Sequence, residues 1–154
     1  MIPSVRLIAP EDVALIVDLA ADAARELRTR RGGTFLVDAP GRITRDGESV
    51  LAVLDDDEAL AILATVDEVP VGYAFAHIDR SLPGVEVMVD EVFTTAEARS
   101  VGVGERLLEE VTAWAIVHGA SGVSALALPG DRDTKNFFEG MGMKARSITV
   151  HREL

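Results

Sequence analysis

The stretch from residue 85 to residue 108 constrains the fold more than any other part of the chain. It begins with a mostly apolar run that is typical of a strand, passes through a short polar loop, and continues with the apolar pattern of a helix. The first four N–H groups of a helix have no intrahelical acceptor and carry the positive end of the helix dipole. Gly102 and Gly104 lie at this helix start and have no Cβ, so an anion can approach the main chain closely. The stretch therefore predicts a site for a phosphate or pyrophosphate.

The spacing of the loop separates the known kinds of phosphate site. A P-loop requires a lysine after the second glycine, and none is present. A dinucleotide-binding fingerprint requires a third glycine at the position of Leu107. The remaining pattern is Arg99-x-x-Gly102-x-Gly104 directly after an apolar strand. The alternative interpretation is a glycine-containing helix start with a solvated arginine.

This motif resembles the [Q/R]xxGx[G/A] signature of the GNAT superfamily of acyl-CoA N-acyltransferases. The resemblance implies that the loop binds the pyrophosphate of acetyl-CoA, the co-substrate. It also implies that the main chain at the end of the preceding strand pairs with pantetheine and that one N–H polarises the thioester carbonyl. The residues expected to bind the cofactor are Val92, Phe93, Thr94, Arg99, Ser100, Val101, Gly102, Val103, Gly104 and Glu105, with Asp131 and Phe138 from the last helix.

The order of the remaining segments supports the same resemblance. The pattern favours an α/β fold with a mixed sheet, in which an antiparallel meander is followed by a splayed parallel strand pair with flanking helices. Gly72, near the start of the second hairpin strand, suggests a bulge. We expect strands at residues 5–8, 59–66, 71–78, 85–94, 123–128 and 143–154, helices at about 10–28, 48–54, 103–118 and 131–141, and a loop at 35–47.

Composition limits the other functional classes. The chain has 154 residues, of which 48% are apolar, so we expect one domain over residues 1–154. It has no cysteine, and its three histidines lack metal-site spacing, so we expect no metal. No signal peptide or bilayer-spanning segment is apparent, which favours a cytoplasmic protein without a membrane partner.

The net charge of −11 is concentrated in the middle of the chain. Residues 51–100 hold 11 acidic and 2 basic side chains. An acidic surface repels nucleic acid and favours cationic partners. The alternative is that this charge only aids solubility.

The last helix departs from the family pattern NxxAxxFYxxxGF. Asp131 takes the place of an asparagine that contacts the cofactor in the family. Phe138 takes the place of a tyrosine that in many members protonates the departing CoA thiolate. The only tyrosine, Tyr73, is expected to be structural. The thiolate then takes its proton from water or another side chain, or leaves as an anion.

The strand before the loop offers three carboxylates as a general base for a protonated amine. Glu86 and Asp90 share strand parity, whereas Glu91 lies on the other face unless a bulge intervenes. The resemblance implies that acids on this strand often act as the base, and we place Glu91 and Glu86 level, ahead of Asp90. For each of them a solvated or paired carboxylate is the alternative. Leu126 closes a second route, because some family members carry a catalytic glutamate there.

Three functions follow as hypotheses. The first is an acetyl-CoA-dependent N-acetyltransferase that acts by direct attack in a ternary complex on a primary amine, small and cationic or carried by a protein. The second is a non-catalytic acyl-CoA-binding regulatory or interaction module, which Phe138 favours. The third is a structural interaction domain, which leaves the glycine loop unexplained. Members of the family are often dimers, so a homodimer is also allowed.

Overall fold

A five-stranded mixed sheet forms the centre of the protein in the computed structural model, which describes residues 2–154. The strand order is that of the sequence, with three antiparallel pairs followed by one parallel pair. This confirms the predicted meander and parallel strand pair. The strands are β1 (Ser4–Leu7), β2 (Ala59–Val66), β3 (Val69–Asp79), β4 (Glu86–Thr94) and β5 (Gly122–Ala125).

Helices cover both faces of the sheet. The helices are α1 (Val13–Arg28), α2 (Gly33–Val37), α3 (Gly47–Leu54), α4 (Val103–Val117) and α5 (Arg132–Gly140). One core forms where α4 and α5 pack on the sheet, and it includes Ile62 and Leu107. The other core forms beneath α1 and α3 and includes Ile16 and Phe75. Alternate strand residues face opposite sides, so β2 and β3 contribute apolar side chains to both cores.

A β-bulge in β4 changes the direction of its side chains. Phe75 pairs with Glu91 and Ala76 pairs with Val89, so Asp90 is an extra residue on β4. Glu91 therefore faces the α1 side together with Phe75, as sequence parity allowed only if a bulge intervened. The parallel pairing between β4 and β5 also ends at Val89, one residue before the bulge. The two strands part beyond that point.

Some predicted boundaries were wrong. The closing strand predicted over residues 143–154 is absent, because that segment has no regular secondary structure and residues 144–154 are exposed. Its few apolar side chains, such as Ile148 at 79% exposure, bury little surface. β5 ends at Ala125, where its partner strand turns away, and not at residue 128.

Two further segments refine the sequence interpretation. The segment predicted as a loop over residues 35–47 contains the end of α2 and a 3₁₀ turn at Ile43–Arg45. The bulge suggested by Gly72 lies next to it, because the register with β2 skips Val71. No helix within residues 2–154 combines the length and the apolar character needed to cross a bilayer.

Candidate functional site

The glycine loop joins the end of β4 to the start of α4. A 3₁₀ turn at Ala96–Ala98 follows the strand, and Gly102 then adopts a left-handed conformation with φ 83° as the N-cap of α4. Glycine adopts this conformation without a steric penalty, which lets the chain turn sharply into the helix. No side chain among residues 2–154 caps the helix start, so the main-chain N–H groups of its first turn are free of side-chain acceptors in that part of the chain. This geometry suits an anion.

The two glycines of the loop have different surroundings. A Cβ on Gly104 would lie 3.2 Å from the ring of Phe137, whereas a Cβ on Gly102 would meet only a Glu105 carboxylate oxygen at 4.0 Å. Gly104 therefore lets α5 pack closely on α4, a reason that the motif itself does not reveal. The Glu105 carboxylate lies at the positive end of the helix dipole and would repel a phosphate. The main-chain N–H groups at the start of α4 are donors that this loop can offer to an anion.

Arg99 turns away from the start of α4. Its Nε donates to the Thr94 carbonyl at 3.0 Å, and its guanidinium pairs with Glu26 of α1. The guanidinium carbon also lies 5.9 Å from the centre of the Phe93 ring. In this arrangement Arg99 ties the loop to α1, and a contact between its side chain and a pyrophosphate stays a prediction.

The two residues of the last helix that were predicted to contact the cofactor are both buried. Asp131 caps α5: its Oδ1 accepts from the Thr134 N–H at 3.3 Å and its Oδ2 from the Thr134 hydroxyl at 2.7 Å. The signal for this cap was present in the sequence, since aspartate is a preferred N-cap residue and follows the helix-breaking pair Pro129-Gly130. Phe138 lies in the core between α4 and the sheet.

Glu91 is bound by groups from a distant segment of the chain. Its side chain is 4% exposed and accepts from the Thr44 hydroxyl at 2.6 Å and the Thr44 N–H at 3.0 Å. Arg42 lies 3.2 Å away, and the Tyr73 hydroxyl donates to it at 3.5 Å. Burial, with the nearby Glu91 charge, raises the pKa of Tyr73 above its usual range. No sequence pattern pointed to Arg42 and Thr44, which precede α3.

Glu86 lies at the other end of β4, opposite Gly122 of β5. Its Oε2 is buried without a hydrogen-bond partner among the residues described, and Arg146 approaches its Oε1 at 3.8 Å. A Cβ on Gly122 would lie 2.4 Å from Oε2, so the glycine makes room for this carboxylate. Its side chain is 18% exposed, which leaves a narrow approach from solvent.

Asp90 and His77 form a pair on neighbouring strands. The His77 Nδ1 lies 2.9 Å from Oδ1 and 2.8 Å from Oδ2 of Asp90. Burial raises the pKa of the Asp90 carboxyl, and the bond to His77 opposes that rise. Sequence spacing did not reveal this pair, because residues 77 and 90 meet only through the β3–β4 register. Within residues 2–154, no group of three or more His, Cys, Asp or Glu side chains is gathered as a metal site requires.

Comparison with known proteins places this site in a family. The sequence matches the acetyltransferase (GNAT) family over residues 16–143. The chain belongs to the GNAT family. In this GNAT protein the matched region extends from α1 through the glycine loop and β5 to just beyond α5, so it contains every site residue described above except Arg146. No curated protein matches the sequence closely enough to be called a relative.

Solved structures share the GNAT fold at low sequence identity. A mutant of the BH1408 protein from Bacillus halodurans matches with a TM-score of 0.84 at 16% identity, over 98% of this chain and 99% of its own. A ribosomal-protein-alanine N-acetyltransferase from Brucella melitensis matches with a TM-score of 0.72 at 17% identity over the whole of both chains. An aminoglycoside 6'-N-acetyltransferase from Acinetobacter baumannii matches with a TM-score of 0.73 at 16% identity, over 99% and 97%. These similarities show the fold.

Proposed function

We propose that this GNAT protein transfers the acetyl group of acetyl-CoA to a primary amine, small and cationic, by direct attack in a ternary complex. The observation that carries this proposal is the separation of β4 from β5 immediately before the glycine loop. One short stretch of chain thus offers an unpaired strand edge and an uncapped helix start. These are the two features that an extended pantetheine arm and a pyrophosphate need.

The donor side of the site rests on main-chain groups. The main chain of Val92, Phe93 and Thr94 lies past the last β4–β5 pair, so its groups on the β5 side would bond pantetheine amides. The Thr94 carbonyl already accepts from Arg99. The loop from Arg99 to Glu105 would hold the pyrophosphate. Since these contacts use the backbone, most of the side chains in the loop are not constrained by them.

The acceptor side carries negative charge. Glu86 and Asp90 belong to the strand that would hold the thioester, and Asp79 faces Glu86 across the β3–β4 register. These carboxylates favour a cationic amine. The solved relatives include enzymes described as acting on an alanine of a ribosomal protein and on an aminoglycoside, which supports an amine acceptor.

The contacts of Glu91 and Glu86, the two predicted bases, favour roles other than removal of a proton from the amine. Glu91 already accepts from both donors of Thr44 and pairs with Arg42, so few of its lone pairs are open to an amine. We propose that it holds the acceptor-side segment on the sheet. Glu86 keeps one oxygen without a partner, but that oxygen is buried against Gly122.

A second function has its own observation. Phe138 cannot protonate a thiolate, and the only tyrosine is buried beside Glu91. A non-catalytic acyl-CoA-binding module would need neither a proton donor nor a base. Thiol release distinguishes the two functions.

Binding and turnover are measured separately. At 100 times Kd, acetyl-CoA should add about 2.7 kcal/mol to the free energy of unfolding, which is roughly 5–10 °C in Tm for a chain of this size. Thiol release is then followed with spermidine, lysine, kanamycin and an alanyl peptide. A shift with thiol release supports the transferase, and a shift without release supports the binding module. Absence of any shift at millimolar acetyl-CoA contradicts both.

A further inference from the structure

We propose that His77, oriented by Asp90, is the base that removes a proton from the acceptor amine. This inference rests on the proposed acetyl transfer and names a residue pair for its chemistry. The first supporting observation is the bond between the His77 Nδ1 and the Asp90 carboxylate, at 2.8–2.9 Å.

The position of the pair follows from the sheet. His77 faces Met88 in the β3–β4 register, and Asp90 is the bulged residue that follows the last β4–β5 pair. The pair therefore lies where the two parallel strands separate, which is where the thioester would lie in the proposed complex. It shares the α1 side of the sheet with Glu91 and Phe75.

The side chains of Asp90 and His77 differ in exposure, which favours orientation by Asp90 and proton removal by His77. The Asp90 side chain is 24% exposed and the His77 side chain is 44% exposed. A sheltered carboxylate that accepts from Nδ1–H fixes the tautomer in which Nε2 has the free lone pair. Nε2 has no hydrogen-bond partner in residues 2–154 and can meet an incoming amine. Histidine is also the side chain that most often acts in general acid–base catalysis.

Charged neighbours favour a cationic acceptor at this position. Asp79 lies two residues from His77 on the same face of β3, and Glu86 is opposite Asp79 on β4. On the β2 side the register partner of His77 is Ala59, which carries no charge. An ammonium group near Nε2 would thus have Asp90 and Asp79 as its nearest acidic neighbours along the strands, whereas Glu86 faces Arg146 at 3.8 Å and its other oxygen is buried against Gly122.

The proposed transfer balances in atoms and protons without another reagent. Nε2 takes one proton from the ammonium group, and the neutral nitrogen attacks the thioester carbon. A C–N bond forms, the tetrahedral intermediate collapses, and the C–S bond breaks. The second proton of the nitrogen neutralises the departing thiolate, and the imidazolium releases the first proton to solvent. The products are the amide, free CoA and one proton.

The first test compares His77→Gln with wild type on the four amines named above. We expect kcat/KM at pH 7 to fall by about 100-fold, because general base catalysis contributes at least that factor. Asp90→Asn should lower it by a smaller factor, because the imidazole then loses the bond that fixes its tautomer. The pH profile should change as well. In His77→Gln the rate should rise steadily with pH across the neutral range, because only amine that is already neutral reacts.

Controls separate this inference from the proposed function. Acetyl-CoA affinity should stay unchanged in both variants, and His151→Gln, in the exposed C-terminal segment, should keep the wild-type rate. Full activity of His77→Gln, or a greater loss in Glu86→Gln, would overturn the role of His77 while leaving the transferase intact. If wild type binds acetyl-CoA but acetylates none of the amines, the transfer itself fails and this inference fails with it.

A second readout needs no acceptor. Nitrogen-15 NMR of the resting protein should show His77 in the Nδ1–H tautomer, and Asp90→Asn should convert it to the mixture seen for an exposed histidine such as His151. An Nε2–H tautomer in wild type would contradict the proposed orientation.

Discussion

A single carboxylate, Glu91, shows how the surroundings of a residue decide its use. Its position in the sequence suggested a base, but its contacts make it the centre of a buried polar group. It connects residues that lie 47 positions apart in the chain, because Thr44 donates to it from the segment before α3. A buried carboxylate with several bonds of this kind fixes local geometry.

Substitution of Glu91 by glutamine should lower stability before it affects chemistry. Arg42, whose side chain is 11% exposed, would lose its charged partner. Removing one member of a buried ion pair costs about 3 kcal/mol in the free energy of unfolding, which urea titration measures. Arg42→Met combined with Glu91→Gln should recover part of the loss in a double-mutant cycle. The exposed Glu97→Gln is the control, and an equally small effect of Glu91→Gln would contradict the buried pair.

Asp12 should make stability depend on pH in the acid range. Its carboxylate accepts two bonds from Arg6 at 2.7 and 2.9 Å and one from the Ala9 N–H at 2.8 Å. The Arg6 bond chiefly lowers the pKa of Asp12 from 3.8. The stabilisation is therefore fully present above pH 3.8 and is lost as the pH falls through the lower folded value.

The matching variant is Asp12→Asn. It should lower the free energy of unfolding by about 1–2 kcal/mol at neutral pH, and its difference from wild type should shrink below the ordinary pKa of aspartate. Asp18→Asn, exposed on α1, serves as the control. A difference that grows in acid would contradict the sign of the pKa shift.

At the scale of elements, Gly104 allows helices α4 and α5 to pack closely against each other. The motif suggested that a side chain at this position would block the phosphate. In the structure, the added Cβ would instead meet the Phe137 ring at 3.2 Å. Gly104 thus belongs both to the helix start and to the helix–helix contact. Experiment can distinguish its packing against Phe137 from a contact with the cofactor.

A compensating substitution at Phe137 distinguishes the packing role of Gly104 from a contact with the cofactor. Gly104→Ala should lower the free energy of unfolding by about 1–3 kcal/mol through overpacking, and Phe137→Leu in the same chain should restore part of it. Acetyl-CoA affinity should recover along with stability. Restored stability without restored affinity would show that residue 104 contacts the cofactor directly.

The whole molecule presents an open sheet edge beside an exposed C-terminal segment. Ile148 and Val150 are 79% and 89% exposed, and no strand in residues 2–154 pairs with the outer edge of β5. A depression of about 310 Å³ between α4 and β5 lies next to this edge and is lined in part by Met141 and Met143. Residues 147–154 are exposed and belong to none of the five strands.

Deletion of residues 147–154 should therefore leave the thermal midpoint nearly unchanged, within about 1 °C, because the removed side chains bury little surface. Thermal melting and light scattering of the deletion variant measure this. A clear loss of stability would show that the segment pairs with β5 in solution, and a dimeric full chain that becomes monomeric on deletion would show that the segment joins two copies.

The sequence by itself determined the elements and the glycine loop. Helix and strand periods, the helix start at Gly102 and the order of the segments depend on residues that are close in the chain, so they are readable without a structure. The mixed sheet and membership of the GNAT family were confirmed. The closing strand predicted over residues 143–154 was wrong, because a local sequence pattern does not show whether a segment pairs with the edge of a sheet.

Only the tertiary structure decided how the acidic residues are used. The bulge at Asp90 moved Glu91 to the α1 side, and residues 42–44 then engaged it. The same register brought His77 to Asp90 across 13 positions. Such contacts depend on strand register and loop packing over long separations. Because no local pattern records those distances, the availability of each side chain to a substrate could not be predicted from sequence.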